Sequence, residues 1–174
     1  MPGKQVNMNH FGAHLRKTLD KAPRVIGVMA LNHFKESFKM QQFNNPGSPR
    51  WEPTKSGKSS GILIGKQSGA LRNSGQVLQA DLKLIRVGFL RPYANTHNRG
   101  GVVHPRVTPQ MRKFAWAKHY SARTNDEKEK WKGLALTKKT RLTIKIPKRQ
   151  FVGPSRSLNV KVNAWLSSNL DYRG

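Results

Sequence analysis

The segment from Ile62 to Gly101 limits the folds open to this chain more than any other. An apolar run (Ile62, Leu63, Ile64) leads into a short helical turn bracketed by small residues, Ser68-Gly69-Ala70-Leu71-Arg72-Asn73-Ser74-Gly75. A long strand-like segment follows from Val77 to Leu90. Pro92-Tyr93-Ala94, a polar Asn-Thr-His-Asn run and the pair Gly100-Gly101 close it. Glycines at the corners allow tight backbone turns, so the segment reads as a hairpin scaffold serving packing or assembly, not as a reaction centre. Within the strand, Leu78, Ala80, Leu82 and Leu84 alternate on one face, then Ile85, Val87 and Phe89 on the other. That one-residue slip predicts a bulge or a change of sheet face.

Helices flank this scaffold. Residues 1–22 read as an N-terminal arm with a short docking helix, since Phe11, Leu15 and Leu19 recur every four residues. His10 and His14 share that spacing, but no third metal ligand accompanies them. Pro23 suits the first turn of a second helix, Val25 to Gln42, whose apolar face is Val25, Val28, Leu31, Phe34 and Phe38. Residues 44–61 are loop, rich in Gly, Pro, Ser and Lys, with Trp51 between prolines as an anchor. Thr108 and Pro109 start a helix carrying Met111, Phe114 and Ala115, after which 121–139 reads as a protruding charged loop. Leu142, Ile144 and Ile146 alternate in a clean strand from Arg141 to Pro147. The turn after Pro147 drives Phe151 and Val152 inward. Ser155 caps a last helix whose stripe is Leu158, Val162, Trp165, Leu166 and Leu170. The expected class is α+β: a small antiparallel sheet or barrel-like core packed by an N-terminal amphipathic helix and a C-terminal helix, with long loops. One domain over 1–174 is the simplest organisation, with 102–139 as a basic arm.

Charge is the one positive chemical signal. Lys and Arg number 33 against 8 Asp and Glu, a net +25, which attracts polyanions or acidic protein faces and repels further copies at low salt. Residues 102–150 alone hold 14 Lys/Arg and 3 acids, interleaved with Phe114, Trp116, Tyr120 and Trp131. Such a mixture fits nucleic-acid backbone binding with stacking, or a protein interface anchored by aromatics, or simply a solvated arm. Hydrophobic content of 36% is low for a self-sufficient globule, so neighbours are expected to order part of the chain. With no cysteine, disulfides and thiolate chemistry are excluded. The N-terminus shows no signal-peptide pattern and no apolar run is long enough to span a bilayer, so no membrane partner is expected.

Enzymatic signatures are missing, and no catalytic residue, cofactor or metal is expected. Gly61-Ile-Leu-Ile-Gly65-Lys66-Gln67 imitates a phosphate loop but has three residues between its glycines and Gln67 where Ser or Thr must hold magnesium. His97, His104 and His119 lack metal spacing, and the scattered acids offer no carboxylate pair. A metal-dependent nuclease is disfavoured on the same ground.

Four motifs in order carry a resemblance. Leu71-x-x-Ser-Gly75, Tyr93-Ala-x-x-His97-x-x-Gly100-Gly101, Thr108-Pro-Gln-Met-Arg-Lys-Phe-Ala-Trp-Ala117 and Ile146-Pro-Lys-Arg-Gln-Phe-Val-Gly-Pro-Ser155, followed by the closing helix, resemble the phage virion-morphogenesis family. This is the tail-completion or tail-terminator group of tailed phages and Mu-like prophages, and the likeness covers roughly Val25 to Leu170. The resemblance implies a non-enzymatic virion protein, assembled in the host bacterial cytoplasm. It would form a homo-oligomeric ring, commonly a hexamer, at the head-proximal end of the tail. Its partners would be the tail tube protein and the head-tail connector, with genomic DNA passing through the lumen. The residues expected at subunit or partner contacts are Trp51, Tyr93, His97, Gly100, Gly101, Phe114, Trp116 and Trp131. The alternative is a small basic DNA- or RNA-binding protein.

Overall fold

A computed structural model describes residues 8–54, 61–64 and 69–171. Part of the expected N-terminal arm, part of the 44–61 loop, and Gly65, Lys66, Gln67 and Ser68 lie outside the described residues. The class is α+β. Among the described residues the sheet content is two separate two-stranded antiparallel sheets, which do not close into a barrel. The chain clusters into two compact units, one of Met1–Arg99 with Pro147–Gly174 and one of Gly100–Ile146.

In the first unit, the two helices expected on either side of Pro23 are one, α1, Met8–Met40. Proline in a helix interior loses a hydrogen bond and costs about 3 kcal/mol. Tertiary contacts hold the helix through that point. Thr18, Ala22 and Pro23 are buried. His14 Nε2 and Thr18 Oγ1 both donate to the Asn169 carbonyl near the end of α6 (Arg156–Leu170), at 2.9 and 3.3 Å. The buried face of α1 also differs from expectation: it runs through Gly27, Ala30, Phe34 and Phe38, while Val28 is exposed. The cause is close packing on the hairpin beneath. A Cβ at Gly27 would stand 2.9 Å from Val77 Cγ1, so the helix meets the strands at a position that has no side chain.

That hairpin is β1 (Gly75–Ala80) and β2 (Ile85–Phe89), following the short helix α2, Ala70–Asn73. The expected long strand is therefore folded on itself, and the slip in alternation falls in the turn. Asp81 makes that turn: its Oδ1 accepts from the Lys83 and Leu84 amides at 2.9 and 2.8 Å, and Leu82 and Leu84 are left exposed. A register shift is present as well, between Val77 and Gln79, so Leu78 is extruded over Gly88. The polar run after Tyr93 forms α3, Ala94–Arg99.

α1 ends at Gln41, whose left-handed φ of 56° turns the chain. The Gln41 side chain binds Ile62 in both senses: Oε1 accepts from the Ile62 amide at 2.7 Å and Nε2 donates to its carbonyl at 3.3 Å. The core lies beneath, where Phe38, Trp51, Ile62, Leu71 and Phe151 are buried together, with Phe38 fully enclosed. Phe151 stacks 4.9 Å from Phe38 and 5.1 Å from Phe89, as its inward turn predicts. Ser155 caps α6, accepting from the Leu158 amide at 3.3 Å. The stripe of α6 faces inward at the expected positions, but no residue of the helix is fully buried.

The second unit pairs β3 (Gly101–Val103) with β4 (Ile144–Ile146), and an isolated bridge of Arg106 with Arg141 continues the same register. Between them rise α4, Pro109–Ser121, capped by Thr108, and α5, Asn125–Ala135. The segment expected as a charged loop is largely this second helix. Thr124 Oγ1 accepts from the Glu127 amide at 3.3 Å, and Asp126 and Glu127 lie in the first turn, where the helix dipole favours negative charge. Arg112 Nη1 and His119 Nδ1 tie the helices by donating to the Ala135 and Lys128 carbonyls at 3.0 and 2.8 Å.

Candidate functional site

The residues expected at contacts fall into three groups. Trp51 belongs to the interior of its own chain. It is buried, its Nε1 donates to the Gln150 carbonyl at 2.9 Å, and its ring meets Phe38 edge to face. Its surface is spent as the loop anchor, leaving little to offer a neighbour.

Tyr93 and His97 form the second group, one helical turn apart at the start of α3. Tyr93 is exposed and half-buried His97 meets its ring edge on, with centroids 5.8 Å apart. Desolvation lowers the His97 pKa, and the Arg149 guanidinium adds to the effect, so the ring is held neutral near pH 7. Its Nδ1 is buried without a partner among the described residues. Gly100 and Gly101 follow with φ of 74° and 151°, values that a side chain resists, and they carry the chain from α3 into β3.

The third group is brought together on the α4–α5 pair. Phe114 meets Trp131 edge to face at 5.8 Å, and Trp116 stacks on Tyr120 at 6.0 Å and 24°. Only Ala115 and Ala135 are buried among the described residues of this unit, so the aromatics lie on the surface of a thin helical pair. Tyr120 is 77% exposed and Phe114 52%. Lys118 Nζ stands 5.6 Å from the centre of the Phe114 ring.

Sequence reasoning missed three features of the first unit. Asn98 pins the 150s turn: its Oδ1 accepts from the Phe151 and Val152 amides, both at 2.9 Å, and its Nδ2 donates to the Val152 carbonyl at 3.1 Å. Arg149 is buried and donates through Nε and Nη2 to the Glu52 carbonyl. His33 and Ser155 are buried 2.9 Å apart. A serine beside an imidazole invites a nucleophilic reading, but the hydrogen bonds run the other way. Asn44 Nδ2 donates to His33 Nδ1, so Nε2 carries the proton and donates to Ser155 Oγ. The hydroxyl in turn reaches the Asn44 carbonyl at 3.1 Å. An imidazole that already donates to the hydroxyl cannot take its proton, so the pair locks α1 to the start of α6. Burial lowers the His33 pKa, with the Lys161 charge reinforcing it against an opposing Asn44 bond. These partners are far apart in sequence; only the capping role of Ser155 was readable.

Among the described residues, no group of three His, Cys, Asp or Glu could hold a metal, and no helix is long and apolar enough to cross a membrane. An open groove of about 590 Å3 runs between α1, β2 and α6, lined by Ile26, Phe34, Val87, Leu158 and Val162. Compared with known proteins, the chain matches no family model, no curated protein and no solved structure.

Proposed function

We propose that this chain is a structural virion protein of a tailed-phage neck, a ring-forming subunit that completes or terminates the tail and joins it to the head connector. The observation that carries this reading is apolar surface left uncovered in a thinly packed subunit. Leu78, Leu82, Leu84 and Leu90 are exposed around the hairpin, and α6 buries none of its stripe completely. Contiguous exposed apolar surface marks contact with another protein. Among the described residues each sheet has two strands, so each strand has an edge with no strand paired to it, where a neighbour's strand could add. The resemblance of the ordered motifs from Leu71 to Ser155 supports the choice of family.

On this reading the contacts shift from Trp51 to the hairpin tip and Tyr93. The excess positive charge lies on outer or subunit-facing surfaces, away from the lumen, because a cationic lumen would hold passing DNA. The test is the particle mass in high salt after nuclease treatment, by light scattering, with electron microscopy of the same sample and of sample mixed with tail tubes. Rings of about six 19.7 kDa chains, free or on tube ends, support the proposal. A chain that stays monomeric in both and grips duplex DNA at physiological salt overturns it in favour of a nucleic-acid-binding protein.

A further inference from the structure

One ladder face in the Gly100–Ile146 unit carries a like-charge pair at its closest approach. Val107 N donates to the Thr140 carbonyl at 2.8 Å and Leu142 N to the Pro105 carbonyl at 2.9 Å. Arg106 and Arg141 between them are therefore a non-hydrogen-bonded antiparallel pair, the kind with the shorter Cα separation and side chains on one face. Like charges in that position destabilise a ladder. His104, Thr143 and Lys145 share the face with them, all exposed, and no acid is among them. The unit holds 12 Lys/Arg against 3 acids, and all three acids are in α5, where Glu129 pairs with Lys132 at 3.7 Å. No ion pair among the described residues involves Arg106 or Arg141.

The outward arc of α4 has the same character. Helical geometry places Tyr120 and Lys113 along one rim and Phe114 and Lys118 along the other, with Gln110, Ala117 and Ser121 between them, all exposed and none acidic. Acidic protein and nucleic acid would both satisfy the charge. The aromatics favour the second, because Tyr120 presents a highly exposed ring already stacked on Trp116, a platform for a further planar ring. Bases of a duplex are already stacked on one another; unpaired bases are free to stack there.

We propose that this unit is a binding arm for single-stranded nucleic acid, with phosphates held between Arg106 and Arg141 and bases stacked on the aromatic rims of α4. Two guanidiniums on one acid-free ladder face suit successive backbone phosphates, whose oxygens each fork can take in pairs. The inference does not rest on the ring reading, and its test is separate from the particle mass.

The experiment is binding of a labelled oligothymidylate to the full-length, nuclease-treated protein across a salt series, followed by anisotropy. Replacing both guanidiniums (R106Q with R141Q) is expected to weaken binding about tenfold or more and to reduce the slope of log K against log salt by about 1.4, two single-strand phosphate contacts. This variant should melt no lower than the parent, because a like-charge pair is removed. Replacing the rings (F114A with Y120A) is expected to weaken binding by about tenfold and leave the slope unchanged. The control K17Q with R24Q removes two charges from α1. Equal losses in the control and in R106Q/R141Q would overturn the proposal, as would an F114A/Y120A variant that binds like the parent. Competition by polyglutamate as effective as by oligothymidylate, charge for charge, would overturn it in favour of an acidic protein partner.

Discussion

Gly27 lies where α1 crosses the hairpin, and the absent side chain there is what lets helix and strands approach. Gly27→Val would drive two methyls into Val77, whose own branched side chain has little freedom to yield. Overpacking of this kind is expected to cost about 1–3 kcal/mol in urea unfolding, more than the gain in helix propensity returns. His33 gives a pH dependence. Its pKa, and that of His97, is lowered in the folded chain, so the unfolded chain binds the proton first as pH falls. Stability is then complete above the ordinary imidazole value of about 6.5 and declines below it, for His33 by at most about 1.4 kcal/mol per pH unit. Unfolding midpoints measured from pH 7.5 downward should show that decline, and His33→Gln should flatten it. Ser155→Ala, which removes the helix cap and leaves the His33 N–H unpaired, is expected to cost about 2–4 kcal/mol at neutral pH. At this scale the caps were legible, because Thr108 and Ser155 stand immediately before their helices. His33 and Asn98 were not, since Ser155 lies 122 residues from His33, the partners of Asn98 lie 53 or more residues away, and nothing local marks either.

Elements were legible where local signals agree, and misread where tertiary contacts outvote them. Proline stops most helices; here α1 runs through Pro23 because the Asn169 carbonyl and a buried Thr18 hold it on α6. The turn at Asp81 was hidden because Leu82 and Leu84 continue the apolar alternation, although the Asp81 carboxylate does what an Asx turn requires. The α5 helix had a readable start, Thr124-x-x-Glu127 with acids in the first turn, but its density of charge suggested a loop. Its cap therefore offers a clean test. Thr124→Ala is expected to destabilise the α4–α5 pair by about 1 kcal/mol. Faster limited proteolysis between Ser121 and Lys139, with cleavage elsewhere unchanged, is the readout. An unaltered cleavage pattern would mean that the tie from Arg112 to Ala135 holds the helix without the cap.

The α+β class, the terminal helices and the basic arm were evident from periodicity and charge, whereas the division of the sheet into two pairs was not, because pairing partners leave no local trace. A net charge of +25 sets the conditions for any self-association. Like-charged copies repel at low ionic strength and are screened at high, so the proposed ring formation should rise with salt while the proposed nucleic-acid binding falls. Sedimentation and anisotropy across the same salt series would show the two curves crossing. The ladder that joins Gly101 to Ile146 has one more consequence. On its near side, Arg149 N donates to the His97 carbonyl at 2.8 Å, so the two chain passages are stapled together both before and after the boundary. Residues 100–146 thus behave as a cassette, entering and leaving through neighbouring points. A Gly-Ser bridge of about four residues from Arg99 to Pro147 should close that gap at small entropic cost and leave a remainder that still melts cooperatively. A remainder that melts cooperatively would show that the segment can be exchanged or recharged while the scaffold that carries it stays folded.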